Sequence, residues 1–137
     1  MPAFVVDASV TLAWCFEDES NSLSESLLER LGRGDRILVP AHWPTEVLNG
    51  LLVAQRRKRI RPGQAALFWD EIAQLPIDAE PPLSVIQAKL VLTLSEKHGL
   101  TAYDAAYLEL ASRRQLPLGT LDSDLRSAAQ TEGIALP

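Results

Sequence analysis

The order of apolar segments along the chain predicts an α/β fold with a short parallel β-sheet and helices on both faces. Short, continuous apolar runs alternate with longer segments in which apolar residues recur every three or four positions. This alternation of strand and helix patterns is typical of a parallel α/β sheet. The first run, Ala3 to Val6, shows no apolar–polar alternation, which indicates a strand buried on both faces.

Strands are predicted at residues 3–6, 36–40, 75–78, 116–121 and 133–136. Helices are predicted at residues 8–16, 22–31, 62–74, 83–97 and 122–130. A further helix opens at Trp43, with Pro44 at its first position, and ends in a basic run. The last opens after the predicted N-cap Thr101.

Two of these helices carry specific predictions about their buried faces. In the helix at 83–97 we expect the inward residues to be Val85, Ile86, Leu90 and Leu94. In the helix after Thr101 the i, i+3, i+4 spacing predicts a single buried face, made of Tyr103, Ala106, Tyr107, Leu110 and Ala111.

Length and composition predict one globular domain over residues 1–137. The chain has 47% hydrophobic and 23% charged residues, which are ordinary values for a globular protein. No apolar run approaches the roughly 20 residues that span a bilayer, so no membrane association is expected. The single cysteine, Cys15, fits a reducing cytoplasm. A net charge of -5 argues against a protein that coats nucleic acid.

Four acidic residues occupy corresponding places in this fold. Asp7 and Asp122 directly follow predicted strands, whereas Glu46 and Asp104 lie in the first turn of a helix. In an open parallel sheet such positions meet outside the carboxyl ends of the strands. Each acid alone could cap a helix or face its dipole. Four carboxylates in one cleft repel one another, however, and no capping role requires that.

Divalent cations relieve such repulsion. Mg²⁺ and Mn²⁺ prefer oxygen ligands, and a site of this kind activates water for phosphodiester hydrolysis without a protein nucleophile. The sequence contains no glycine-rich phosphate loop, no Gly-x-Ser-x-Gly elbow and no Cys-x-x-Cys pair. His42 lies one helical turn before Glu46, and the two could share a metal.

Four motifs in order carry a family resemblance: Val-Val-Asp7-Ala-Ser9, Pro-Thr-Glu46-Val-Leu-Asn49, Thr101-Ala-Tyr-Asp104-Ala-Ala-Tyr and Thr120-Leu-Asp122-Ser-Asp124-Leu. The sequence resembles the PIN-domain ribonucleases, and within them the VapC-type toxins of toxin–antitoxin pairs. The resemblance implies Mg²⁺ or Mn²⁺ bound by the catalytic acids Asp7, Glu46, Asp104 and Asp122. It also implies auxiliary roles for Ser9 and Thr120, as hydrogen-bond donors to the cluster, and for Asp124.

The activity that the resemblance implies is endonucleolytic hydrolysis of RNA to a 5′-phosphate and a 3′-hydroxyl. The implied partners are a small antitoxin, whose C-terminal segment blocks the active-site groove, and a second copy of the chain in a homodimer. The alternative is a catalytically silent module of the same fold that binds only RNA or a protein. A receiver-like phospho-acceptor would need a lysine after a late strand, and residues 118–121 supply none.

One basic run and a group of aromatic residues have both structural and functional interpretations. The run consists of Arg56, Arg57, Lys58, Arg59 and Arg61, which either form a solvated helix end or steer the phosphates of RNA. The aromatic residues Trp14, Phe16, Trp43, Phe68 and Trp69 fit a core. If exposed, Trp14 and Phe16 would be candidates for contact with an antitoxin.

Overall fold

The computed structural model describes residues 2–137, and its four strands form one parallel sheet. The strands lie in the order β3-β2-β1-β4. Their bounds are Ala3–Val6 for β1, Arg36–Val39 for β2, Ile77–Ala79 for β3 and Leu118–Gly119 for β4. Val5 of β1 is in register with Leu38 on one side and with Leu118 on the other. The predicted α/β fold is confirmed.

Seven α-helices follow or connect these strands within residues 2–137. They are α1 (Ala8–Cys15), α2 (Ser22–Gly32), α3 (Trp43–Arg56), α4 (Gln64–Ile72), α5 (Val85–His98), α6 (Ala102–Arg114) and α7 (Ser123–Thr131). A short 3₁₀ helix spans Glu17–Glu19. Within these residues no helix combines the length and the apolar character needed to cross a membrane.

The core is built around β1, which lies between β2 and β4 in the sheet. Phe4, Val5 and Val6 are completely buried, as a strand in the middle of a parallel sheet requires. Helices α1 and α6 both pack against β1, and α6 also packs against β4. Every residue of α6 from Ala105 to Ala111 is buried.

Close packing beside β4 requires a glycine. A Cβ atom placed on Gly119 would lie 2.8 Å from the Cδ1 atom of Leu27, a completely buried residue of α2. Glycine therefore lets α2 approach the end of β4, the strand that leads into Thr120 and Asp122.

The structure corrects the predicted inward face of α5. Val85, Ile86 and Leu90 are 82%, 74% and 49% exposed, and only Leu94 of the four predicted residues packs partly against the core. The residue of α5 that is buried is Val91. The sequence pattern failed here because α5 carries apolar residues around most of its circumference, so periodicity alone does not identify the side that faces α6.

Two further predictions differ from the structure. The sequence predicts Tyr103 on the buried face of α6, but it is 63% exposed, because it lies in the first turn of that helix; its ring packs against the ring of His42. Residues 133–136 do not form a strand. A hydrogen bond of 3.0 Å from the N–H of Leu118 to the carbonyl of Ala135 ties this segment to β4.

Candidate metal centre

Asp7 is the buried centre of the acidic cluster. It follows β1 directly, forms the N-cap of α1 and is 5% exposed. Its Oδ1 atom accepts a hydrogen bond from the Ser9 hydroxyl at 2.6 Å and a longer one from the N–H of Val10 at 3.4 Å. Its Oδ2 atom accepts from the Thr120 hydroxyl at 2.6 Å. Asp7 is thus a helix cap, as one interpretation predicted, and also contacts both predicted auxiliary hydroxyls.

The two hydroxyls connect Asp7 to the loop after β4. The N–H of Leu121 donates to the Ser9 Oγ atom at 3.0 Å, and the N–H of Asp122 donates to the Thr120 Oγ1 atom at 3.0 Å. Each hydroxyl therefore accepts a backbone hydrogen bond and donates to the carboxylate. This chain of hydrogen bonds fixes the loop that carries Asp122 against the end of β1.

The environment of Asp7 favours its protonated form. Burial raises the pKa of Asp7 from 3.8 to about 6, and the charge of Asp104 adds to the increase. The hydrogen bonds from Ser9, Thr120 and Val10 act in the opposite direction and do not cancel the effect of burial. Without a cation, ionised Asp7 is consequently a source of instability near neutral pH.

Glu46 lies in the first turn of α3, as predicted, and contacts two neighbours through one oxygen. The Tyr107 hydroxyl donates to the Glu46 Oε1 atom at 2.6 Å, and the His42 Nε2 atom lies 3.1 Å from the same oxygen but outside hydrogen-bond alignment. Partial burial opposes ionisation of Glu46. The contacts with His42 and Tyr107 outweigh it, so the pKa of this carboxyl is below its usual value.

Asp104 lies in the first turn of α6, where Thr101 is the N-cap. The Thr101 Oγ1 atom accepts from the N–H of Asp104 at 3.1 Å. Within residues 2–137 the Asp104 carboxylate does not complete a capping box with Thr101. Partial burial raises the pKa of Asp104, and the charges of Asp122 and Glu46 raise it further.

Asp122 and Asp124 belong to the start of α7. Asp122 is the N-cap of this helix, and its Oδ1 atom accepts from the N–H of Leu125 at 2.9 Å. Asp124 lies in the first turn. Both carboxylates are near enough to Asp104 for their charges to raise its pKa. The loops after β1 and β4 and the first turns of α3 and α6 therefore bring Asp7, Glu46, Asp104 and Asp122 to the same edge of the sheet.

This cluster lacks a positive partner. Within residues 2–137, no Lys or Arg forms an ion pair with Asp7, Glu46, Asp104 or Asp122. The side chain of Arg126, which lies nearby, donates instead to the Thr120 carbonyl at 3.2 Å. The donor set consists of carboxylate oxygens, which suits Mg²⁺ or Mn²⁺. Among the described residues, no three Asp, Glu, His or Cys side chains lie close enough to one another to bind a single metal ion.

Comparison with known proteins identifies the family. The sequence profile of the PIN domain matches residues 4–130. Ribonuclease VapC3 of Pyrobaculum aerophilum is 30% identical over 123 residues, which are 88% of this chain and 90% of that protein. This chain belongs to the PIN-domain family and is of the VapC type.

Solved structures share the fold of this PIN domain. PAE2754 of Pyrobaculum aerophilum superposes with a TM-score of 0.70 at 23% identity, over 93% of this chain and 79% of that chain. VapBC2 of Rickettsia felis, solved with a DNA fragment from its promoter, gives a TM-score of 0.68 at 13% identity, over 98% of this chain and 97% of that chain.

The residues of the basic run differ in their contacts. The Arg59 side chain pairs with Asp18 at 3.1 Å and Glu19 at 3.7 Å and stacks over the ring of Phe16 at 4.6 Å. A concave surface of about 600 Å³ is lined by residues that include Arg56, Lys58, Arg59 and Arg61. A separate groove of about 320 Å³ is lined by residues that include Ser9, Glu19 and Arg59, and none of the four acids of the cluster lines it.

The aromatic residues lie in or against the core. Phe16 is 7% exposed, and Trp14 is partly buried with its indole N–H donating to the Ser24 carbonyl at 2.7 Å. Phe16 is therefore not an exposed contact for an antitoxin, and Trp14 is only partly exposed. Burial also raises the pKa of the Cys15 thiol to about 11, which disfavours a reactive thiolate there.

The sequence did not predict the contact of Tyr107 with the site. Tyr107 was assigned only to the buried face of α6, and it is completely buried, but its hydroxyl reaches Glu46. The spacing of His42 and Glu46 predicts that the two could share a metal, and the structure places their side chains in contact with each other. Tyr107 lies one helical turn after Asp104, and this spacing was the signal that could have indicated its position beside the acids.

The raised pKa of Asp7 predicts how stability without metal depends on pH. The folded protein holds the Asp7 proton up to about pH 6, whereas the unfolded chain loses it near pH 3.8. Protonated Asp7 therefore contributes its full stabilisation below pH 3.8. This contribution, about 3 kcal/mol, is lost as the pH rises through 6. Asp7→Asn, which keeps the size but not the charge, should gain stability over the wild type by a similar amount at pH 7.5.

Urea unfolding in EDTA, at intervals between pH 4 and pH 7.5, measures this difference. The advantage of Asp7→Asn should shrink toward pH 4, where wild-type Asp7 is itself protonated. Any cost of the amide group itself does not depend on pH, so it would change the free energy of unfolding equally at pH 4 and at pH 7.5. A difference in stability that does not change with pH would contradict the raised pKa.

Proposed function

We propose that this PIN domain is a metal-dependent endoribonuclease toxin that a small antitoxin protein neutralises. The observation that supports it best is the group of four carboxylates at one sheet edge with no Lys or Arg partner within the described residues. The similarity to Ribonuclease VapC3 supports RNA as the substrate. The raised pKa values of Asp7 and Asp104 fit a site whose missing positive charge comes from a cation.

In this proposal Asp7, Glu46, Asp104 and Asp122 hold Mg²⁺ or Mn²⁺. When bound, the cation supplies Lewis-acid stabilisation of the phosphodiester and a more acidic water for the attack. Ser9 and Thr120 fix the Asp7 carboxylate through hydroxyl hydrogen bonds and thereby orient it toward the cleft. Asp124, in the same helical turn as Asp122, adds negative charge at the edge of the cluster.

RNA would approach along the concave surface that Arg56, Lys58 and Arg61 line and the groove that contains Ser9, since Arg59 lines both. The phosphates of RNA need positive charge near an acidic site, and in this proposal the basic run provides it. Because Arg59 is held by Asp18 and Glu19, we assign phosphate steering mainly to Arg56, Arg57, Lys58 and Arg61. Arg59 would instead anchor the run to the 3₁₀ helix.

The alternative function is a catalytically silent module that binds RNA or a protein. Such a module has no use for a buried acid with a raised pKa, and the acidic cluster would weaken RNA binding by repelling phosphates. The cluster therefore favours the nuclease.

Replacement of Asp104 separates catalysis from helix capping. Asp104→Asn keeps the shape but removes the charge that a metal ligand needs. We expect RNA cleavage in Mg²⁺ or Mn²⁺ to fall by orders of magnitude, while the melting temperature in EDTA stays the same or rises because a repelling charge is lost. If Asp104 only faced the helix dipole, the substitution would cost about 0.3–1 kcal/mol and leave cleavage unchanged.

Asp70→Asn is the matched control, because Asp70 is an exposed acid of α4 outside the cluster. It should cleave RNA at the wild-type rate. Cleavage by every variant should stop in excess EDTA. Wild-type cleavage that continues in EDTA, in protein free of contaminating nuclease, would exclude the proposed metal dependence.

The antitoxin proposal predicts an effect on growth. An antitoxin segment that lies in the groove between Ser9 and Arg59 would block access to the acids. Expression of the chain alone should therefore slow bacterial growth, and co-expression of the small protein encoded beside it should restore growth. The Asp104→Asn chain, expressed to the same level, should be harmless. Equal toxicity of the two chains would show that growth inhibition does not come from the nuclease site.

A homodimer is the third part of the proposal, and α5 offers the surface for it. The outer side of α5 and the segment before it expose a group of apolar side chains: Leu83, Val85, Ile86, Leu90 and Leu92. A concentrated apolar surface of this kind is typical of a protein interface. Three of the four residues that the sequence predicted to face the chain's own core, Val85, Ile86 and Leu90, are thus available to a second copy.

Charge on the α5 surface should separate the dimer. Ile86→Glu places a carboxylate at a residue that is 74% exposed, and we expect it to shift the mass measured by light scattering from dimer to monomer. Leu67→Glu is the matched control, because Leu67 is an exposed leucine of α4 (62%). A wild-type protein that is monomeric at tens of micromolar, or equal dissociation by both substitutions, would exclude this interface.

A further inference from the structure

Two aromatic side chains contact one oxygen of Glu46. The Tyr107 hydroxyl donates to the Oε1 atom at 2.6 Å, a short distance that is typical of a hydrogen bond to a charged acceptor. The His42 Nε2 atom lies 3.1 Å from the same oxygen. No comparable contact holds the second oxygen, Oε2, within the described residues.

The position of the Tyr107 hydroxyl is fixed by its surroundings. Tyr107 is completely buried in α6, among residues that line the core. Its ring meets the ring of His42 edge to face, with 5.1 Å between the centroids. His42 is in turn flanked by the ring of Tyr103 at 5.7 Å. A side chain enclosed in this way has few alternative rotamers, so its hydroxyl forms a rigid donor.

The connection crosses from one helix to another. Glu46 belongs to α3 and Tyr107 to α6, and they are 61 positions apart in the sequence. Asp104 precedes Tyr107 by one turn of α6. The hydrogen bond therefore fixes the carboxylate of Glu46 relative to the helix that carries Asp104.

We propose that Tyr107, with His42 packed beside it, is a positioning residue that holds Glu46 Oε1 and thereby presents Oε2 to a divalent cation. This inference depends on the proposed metal site. Glutamate has three side-chain torsions, and an unrestrained carboxylate must be ordered when metal binds. A carboxylate that is already oriented by a fixed donor does not bear that cost, which is why partners of metal ligands commonly change affinity by about 10- to 100-fold.

The simpler explanation is that Glu46 merely satisfies a buried hydroxyl. A buried tyrosine needs a hydrogen-bond partner whether or not the site binds metal. The two explanations differ in what the hydroxyl controls. A partner needed only for burial affects stability, whereas a positioning residue affects the affinity for metal in protein that remains folded.

The test measures Mn²⁺ binding to metal-free protein by titration calorimetry. Tyr107→Phe keeps the ring and removes the hydroxyl, and we expect Mn²⁺ affinity to fall about 10-fold. His42→Phe keeps a ring against Tyr107 and removes the nitrogen beside Oε1, and a decrease of about threefold to tenfold is expected. Tyr103→Phe removes an exposed hydroxyl of the same helix and should change affinity less than about twofold.

Melting temperatures in EDTA establish which variants are folded. If Tyr107→Phe does not fold, His42→Phe, at the less buried side of the contact, decides the question. Unchanged or increased Mn²⁺ affinity in the folded variants overturns the positioning role. Absence of Mn²⁺ binding to the wild type would instead overturn the proposed metal site, and the inference with it.

Discussion

Repulsion among carboxylates at one edge of the sheet is the constraint on which the rest of this structure depends. Asp7 is buried at the end of β1 and its pKa is raised to about 6, while other acids raise the pKa of Asp104. Within the described residues no Lys or Arg pairs with these groups, although acids elsewhere, such as Asp35 and Asp78, are paired with arginines. The fold tolerates this charge because hydroxyl and backbone donors hold Asp7 in place. Such a cost to stability is typical of a site that is kept for function rather than for folding.

Parallel strand order explains why the acids meet. Strand β1 lies between β2 and β4, so the segments that follow these three strands leave the sheet side by side. Asp7 follows β1, Asp122 follows β4, and Glu46 lies at the start of the helix after β2. Asp104 does not follow a strand; it lies at this edge because α6 packs against β1 and β4. The site therefore depends on the core: α6 can carry an acid into the cleft only because its middle is buried on every side.

The sequence alone was sufficient to predict the features that depend on residues close together in the chain. Continuous apolar runs predicted β1 and β2, and even the weak segment at 75–78 overlaps β3. Predictions failed where a distant partner decides the outcome. The apolar residues of α5 do not reveal which side meets α6, Tyr103 extends beyond the core that its spacing suggested, and residues 133–136 have only one backbone bond to β4 among those described. The hydrogen bond from Tyr107 to Glu46 could not be predicted either, because a tyrosine in an apolar helix face indicates only a core position.

Capping and metal binding are compatible roles for the same acid, since a carboxylate has two oxygens. The Oδ1 atom of Asp122 accepts from the first turn of α7, and the Oε1 atom of Glu46 accepts from Tyr107. In both side chains the second oxygen is not needed for that contact. Asp7 is more constrained, because Ser9 and Val10 contact Oδ1 while Thr120 contacts Oδ2. Each carboxylate oxygen can accept two hydrogen bonds or ligands, so Oδ2 retains one free position. The contacts that stabilise helices α1 and α7 thus also orient the oxygens that remain. A sequence motif that indicates a helix cap consequently does not argue against a metal ligand at the same residue.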